Sequence, residues 1–405
     1  MTGSRIIAYF VLLSMAAACA KVEIVDRSPD EPVDFSWYSS RSSDGTRADS
    51  DYFVGGTTLG QERHLPEGTS FGVFGYFHPQ YTSLGSSYAG GWNDGVNGNY
   101  PNLFYNEAVS ISMDGLNYEY DYANSRYWPK NNLDRISFIA YYPWNELNTS
   151  GSASADAIVE PFLDSAYERD GMVGFYYTVP QASADQVDFM VSDLCLDQSW
   201  ALWNANHSTG LTGSDNGKVK LFFHHALSQV RIKSVNFDTG DNDDVEVTIN
   251  YIVFKNVAVF GQCIPVPDFG STTATGRTTV VPTWPVSTLV ARRPDLTTGV
   301  SAHVCYDSSS STWNTEEILL MIPHTFFTGA TIEVNFDVKR KKDSGTGEYY
   351  SYTSSLSAPL TTSTIYAWEA GRIYNYNITL DMESINVSAD VSPWLDAGED
   401  VIMDN

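Results

Sequence analysis

The stretch "TIEVNFDVKR" (331–340) alternates strictly: Ile332, Val334 and Phe336 are apolar, while Thr331, Glu333, Asn335 and Asp337 are polar. Successive side chains of an extended chain point to opposite faces, so this pattern buries one face of a strand and wets the other. Runs rich in β-branched and aromatic residues recur along the chain. They are "FGVFGYF" (71–77), "NEAVSISM" (106–113), "RISFIAYYP" (135–143), "KVKLFF" (218–223), "SQVRIKSVNF" (228–237) and "DVEVTINYIVFKNVAVFG" (244–261). "EILLMIPHTFF" (317–327), "RIYNYNITL" (372–380) and "INVSADV" (385–391) complete the set. Turn-forming clusters such as "TGDNDD", "GSTTATG" and "KKDSGTGE" punctuate them. The one candidate helix, in "SADAIVEPFLDSAYERD" (154–170), is short. Many short strands with turn-rich joints predict an all-β chain of antiparallel β-sandwiches. The polar, glycine-bearing segment after "DFMVSD" (188–193) places a domain junction near residues 205–217.

A chain of 405 residues, 42 % of them hydrophobic, is long enough for two domains with sizeable cores. Its net charge of -26 repels phosphate backbones and anionic membrane surfaces, so nucleic acid is excluded as a partner. Cys19, Cys195, Cys263 and Cys305 lie far apart with no CxxC pair, which removes support for a zinc or thioredoxin-like site. Beyond Cys19, two readings stand: one disulfide among Cys195, Cys263 and Cys305, or thiols buried as small apolar groups.

The amino terminus explains Cys19. Arg5 is followed by an apolar run, Ile6 to Met15, too short to span a bilayer as a helix. Ala16, Ala17 and Ala18 then offer the small side chains that a signal peptidase cleft needs. Residues 1–18 therefore read as a secretory signal. "AAAC" resembles the lipobox of bacterial lipoproteins, which implies acylation of Cys19 and a tether worth roughly 0.8 kcal/mol per buried methylene.

Several motifs have the outline of a chemical site. "GTSFG" (68–72) has the G-x-S-x-G form around Ser70, but a turn precedes it and a strand pattern follows, the wrong setting for a nucleophile elbow. His224 and His225 are adjacent on a strand and point to opposite faces, so they do not share a metal. "DTGDNDD" (238–244) gathers Asp238, Asp241, Asp243 and Asp244 without the glycine and glutamate of an EF-hand loop. No enzymatic constellation and no cofactor follow.

Taken in order, "GTSFGVFGY", "YWPKNNLDRISFIAYYP", "QVDFMVS", "KVKLFFHHALSQVRIKS", "ILLMIPHT", "WEAGRIYNYNITL" and "INVSADVSPW" resemble the fimbrillin family. These are lipoprotein precursors of Bacteroidetes type V pili, and the resemblance spans residues 47–394. It implies two transthyretin-like β-sandwich domains in tandem, here 48–210 and 211–405. It further implies export to the outer membrane by acyl chains on Cys19, trimming by an Arg-specific protease, and polymerisation with other pilin subunits into a fimbrium that supports adhesion. Residues 19–47 would be a propeptide. In it Val33, Phe35 and Trp37 alternate with polar residues as a half-buried strand, followed by a polar loop with Arg41 and Arg47. "TRA" (46–48) resembles the family's cleavage point and favours the Arg47–Ala48 bond, with Arg41 as the alternative. Loss of the first strand would leave an edge for a donor, and Ile385, Val387, Ala389 and Val391 alternate as such a segment. Two other readings are a surface lipoprotein that binds glycan or host protein without polymerising, and a tip or anchor subunit of the same fibre.

Overall fold

A computed structural model describes residues 32–38, 65, 67–78, 101–114, 117–129, 131, 134–150, 153–154, 157–163, 173–180, 185–199, 218–237, 245–268, 270, 277–291, 296–297, 303–306, 317–342, 348–362, 365–381 and 384–394. Cys19, Arg41, Arg47, Ala48, the 205–217 junction and the 238–244 acidic run lie outside the described residues. Among the described residues the chain is all-β, with a 3-10 turn at Val286–Thr288 and no helix long and apolar enough to cross a membrane.

The first half supplies β1 (Phe35–Tyr38), β2 (Ser70–His78), β3 (Phe104–Asp114), β4 (Asn117–Asp121), β5 (Arg135–Tyr142), β6 (Val159–Leu163), β7 (Val173–Thr178), β8 (Met190–Ser192) and β9 (Leu194–Gln198). Next come β10 (Val219–His225), β11 (Ser228–Phe237), β12 (Val245–Lys255), β13 (Ala258–Pro267), β14 (Arg277–Thr278), β15 (Val280–Thr283), β16 (Val290–Ala291), β17 (Leu296–Thr297) and β18 (His303–Tyr306). The last third holds β19 (Glu317–Met321), β20 (His324–Thr325), β21 (Thr331–Lys341), β22 (Tyr349–Pro359), β23 (Ala367–Trp368), β24 (Arg372–Leu380) and β25 (Ile385–Pro393).

A nine-stranded sheet runs β1-β10-β8-β5-β2-β3-β4, with β9 pairing β5 and β14 pairing β9. Two phases of side chains leave its strands. Val33, Phe35, Phe71, Val73, Phe138, Leu221 and Phe223 pack on one side around Trp128. Phe74, Tyr76, Ile139, Tyr141 and Val191 join a larger core on the other. Glycine is required twice in β2, because the rings of Tyr141 and Phe104 lie where side chains on Gly72 and Gly75 would stand.

That larger core continues into the C-terminal strands. The sheets β19-β11-β24-β25 and β17-β12-β21-β22, the latter with β18 also on β12, both feed it. Val230 and Ile232 of β11, Tyr376 and Ile378 of β24, Ile249 and Phe254 of β12, and Ile332, Val334 and Phe336 of β21 are all buried there. The alternation in 331–340 is thus realised as read. The run 244–261 breaks instead into two strands at Asn256, whose positive φ of 55° lets the chain turn between β12 and β13. The segment 154–170 corrects the helix expectation where it is described. Val159–Leu163 is a strand paired with β7, since Val159 and Phe162 bury themselves against that sheet.

Strand pairing also crosses residue 210. β10 lies between β1 and β8, β13 pairs β7, and β14 pairs β9. Strands that follow the 205–217 segment therefore return to complete sheets begun before it.

Candidate functional site

Two edge strands, one near each end of the described chain, carry the residues that sequence reasoning singled out. β1 is the terminal strand of the nine-stranded sheet and pairs in parallel with β10, setting Phe35 opposite Val219 and Trp37 opposite Leu221. Val33 and Phe35 are 0 % and 1 % exposed, a complete burial for a stretch at the rim of a sheet. The Phe35 ring makes edge contacts with Phe104, Tyr122 and Phe138 at centroid distances of 5.3, 5.9 and 5.5 Å. Polar contacts fix the backbone beside it. Val33 N–H donates to the Arg126 carbonyl at 2.7 Å, the Tyr122 hydroxyl donates to the Val33 carbonyl at 2.6 Å, and Val219 N–H donates to the Asp34 carbonyl at 2.7 Å. Burial is the main cause that raises the Tyr122 pKa, to about 12, so this hydroxyl stays a donor at ordinary pH.

At the other end β25 is the last strand of its sheet and pairs antiparallel with β24 over its whole length, from Ile385 opposite Leu380 to Pro393 opposite Arg372. Ile385, Val387 and Ala389 are half-buried against the core, whereas Val391, in the same phase, is 47 % exposed. The strand also lies against β22, the edge of the second sheet. Its end is held differently. Trp394 is 1 % exposed, stacks on the His225 ring at 3.7 Å with 11° between planes, and donates its backbone N–H to the Gly371 carbonyl at 2.8 Å. His225 in turn meets the Asp188 carboxylate at 2.8 Å, so the end of β25 is anchored on the nine-stranded sheet. Sequence reasoning treated Trp394 only as the last letter of a motif. Its even phase, opposite to Ile385 and Val387, was the available sign of a separate role.

The other candidates among the described residues lie within strands. Ser70 opens β2 opposite Ser110, after a turn at Gly68 with φ 79°, and the chain runs on from it as strand to His78. His224 and His225 do face opposite ways: each has its own carboxylate, Asp193 at 2.6 Å and Asp188 at 2.8 Å. Among the described residues no group of three metal-ligating side chains occurs. Cys195 and Cys263 are buried; the Cys195 thiol donates to the Lys220 carbonyl at 3.2 Å, and burial pushes the Cys263 thiol pKa far up, which keeps it protonated and inert.

A family described as fimbrillin-like matches residues 65–394 of the chain. The chain belongs to this family. Among solved structures it is similar to a fimbrial protein from Bacteroides vulgatus, at 18 % identity over 80 % of this chain and 92 % of that one, with a TM-score of 0.47. It is also similar to a fimbrilin from Porphyromonas gingivalis, at 9 % identity over 91 % of this chain and 98 % of that one, with a TM-score of 0.37. No curated protein matches the sequence.

Proposed function

We propose that this fimbrillin-like chain is a structural subunit of a type V-like fimbria at the cell surface, made as a lipoprotein precursor and polymerised by strand exchange. In this reading Cys19 carries the acyl chains that tether the precursor to the outer membrane. An Arg-specific protease cuts at Arg47–Ala48, with Arg41 the alternative, and releases the lipid together with the strand of Val33, Phe35 and Trp37. The subunit is built on two transthyretin-like sandwiches, the first completed by strands from beyond residue 210. Its task is assembly and adhesion rather than catalysis.

The burial of Phe35 in an edge strand, and of Val33 just before it, carries this reading. Each such side chain is worth about 1.5–3 kcal/mol when buried, so a subunit that lost both would hold an apolar cleft and an open β10 edge. A neighbour's extended segment fills both needs at once: backbone hydrogen bonds along the edge and alternate side chains in the cleft. β25 supplies the pattern with Ile385, Val387, Ala389 and Val391, and as an edge strand it leaves its sheet without breaking a second ladder. The contact joins unlike surfaces and so propagates as a filament.

Treatment of the purified precursor with an Arg-specific protease should trim the chain near Arg47 and yield ladders that survive SDS. Val387→Asp with Val391→Asp should leave a folded, trimmed protein that stays monomeric, because neither side chain is fully buried at home. Ladders from that double variant would remove β25 as the donor, and persistent monomers from the trimmed wild-type chain would remove polymerisation by this route.

A further inference from the structure

The β21–β22 hairpin extends beyond the part of the sandwich that covers it. Directly opposed residues of an antiparallel pair share a face, and the register sets Val338 against Tyr352 and Arg340 against Tyr350. On this face Ile332, Val334, Phe336 and Val338 are buried, but the positions that continue it, Arg340, Lys342, Tyr350 and Tyr352, are exposed. Tyr350 and Tyr352 show 60 % and 45 % of their surface to solvent. The Lys342 ammonium stands 4.8 Å from the centre of the Tyr350 ring and 3.3 Å from the Glu348 carboxylate. Four of the chain's 23 basic residues fall in the run "KRKK" (339–342), although the net charge is -26.

Further along the same face of β22, Ser354 and Leu356 are half-buried and Ala358 is buried, while Ser351, Thr353 and Ser355 point to the opposite face. The exposed end of this face is an unusual surface for docking a protein, because the centre of such an interface is largely apolar. Exposed aromatic rings beside cations suit a ring that has C–H groups on its face and carries an acid.

We propose that the face formed by Arg340, Lys342, Tyr350 and Tyr352 binds acidic polysaccharide, a chain of sugars bearing carboxylate or sulfate groups. Tyr350 and Tyr352 are two residues apart on one strand, about 7 Å, and offer successive stacking platforms. Arg340 and Lys342 take the acid groups, and Arg340 is the better of the two for a planar oxyanion. The site gives the adhesive part of the proposed function a ligand class, yet it needs neither cleavage nor strand exchange.

The test uses the uncleaved, full-length chain, so a failure to polymerise leaves it intact. Dextran sulfate, dextran and polyglutamate are titrated in turn at physiological ionic strength. Dextran sulfate should bind, whereas neutral dextran and polyglutamate should not. Arg340→Glu with Lys342→Glu, and separately Tyr350→Ala with Tyr352→Ala, should each weaken dextran sulfate binding by about tenfold or more with an unchanged melting temperature. Tyr350→Phe, which keeps the ring, should bind as the wild type does. The proposal is overturned if dextran sulfate does not bind, if polyglutamate binds as well, or if the tyrosine pair can be removed without loss.

Discussion

His324 shows how a single buried side chain ties stability to pH. Its Nδ1 lies 2.8 Å from the Ile322 carbonyl and its Nε2 accepts the Ala258 N–H at 3.2 Å. That pairing requires the neutral tautomer with the proton on Nδ1. Burial lowers the His324 pKa below its ordinary value of 6.5. In the unfolded chain the imidazole therefore takes up its proton first as pH falls. Its contribution to stability is complete above 6.5 and is lost as pH drops through the depressed folded value. His324→Leu leaves the buried Ala258 amide without its acceptor, at a cost of about 1–3 kcal/mol near pH 8. Urea unfolding from pH 8 to pH 5 should show that gap between wild type and variant shrinking with acidity; a constant gap would mean that the neutral ring is not what matters. Nothing in "MIPHTFF" announces this role, because the partner amide lies far along the chain. The opposite phases of His224 and His225 were readable, since strand geometry alone dictates them.

At the scale of elements, alternation located most of the long strands within a residue or two. β2, β3, β5, β10, β11, β21, β24 and β25 follow the runs from which they were read. β22 escaped notice because "YYSYTSSLSAP" has hydroxyls where a half-buried strand has aliphatics, and it is held by its pairing with β21. Partners were not legible either. The parallel pairs β1–β10 and β11–β24 join segments distant in sequence, and alternation gives a strand its faces but not its neighbours. The same limit hid the anchor of β25. Along that strand the core-facing phase is only half-buried, but Trp394 at its end is fully enclosed, and its indole N–H has no acceptor among the described residues. Its hold thus comes from apolar burial and the stack on His225. Trp394→Ala should cost about 3–5 kcal/mol where it docks and loosen the strand that leads to it. Amide exchange should then accelerate across Ile385–Pro393 far more than across β11 or β21. Equal acceleration in all three would mean that Trp394 supports the sandwich as a whole rather than latching its last strand.

The whole molecule behaves according to where its strands are borrowed from. The first nine strands do not make a closed set: β10 fills the place between β1 and β8, β13 covers β7, and β14 caps β9. A fragment of residues 48–210 lacks all three, so the edges of β8, β7 and β9 would be open together. Buried Phe175 and Val191 would also lose the side chains they share with the C-terminal half, among them Cys263 and Val280. Unpaired edges and a bared core of this extent favour aggregation over an independently folded state. The same sharing makes the intact chain cooperative, because the core that holds Phe74 and Tyr141 is continuous with that of Ile232 and Val334. Urea unfolding of the full chain, followed by tryptophan fluorescence and by far-ultraviolet circular dichroism, should give coincident curves with one midpoint. Residues 48–210 expressed alone should be insoluble or lack the β signature. Two separated transitions together with a soluble, folded fragment would instead mean that the strands crossing residue 210 add little, and that each half stands on its own core.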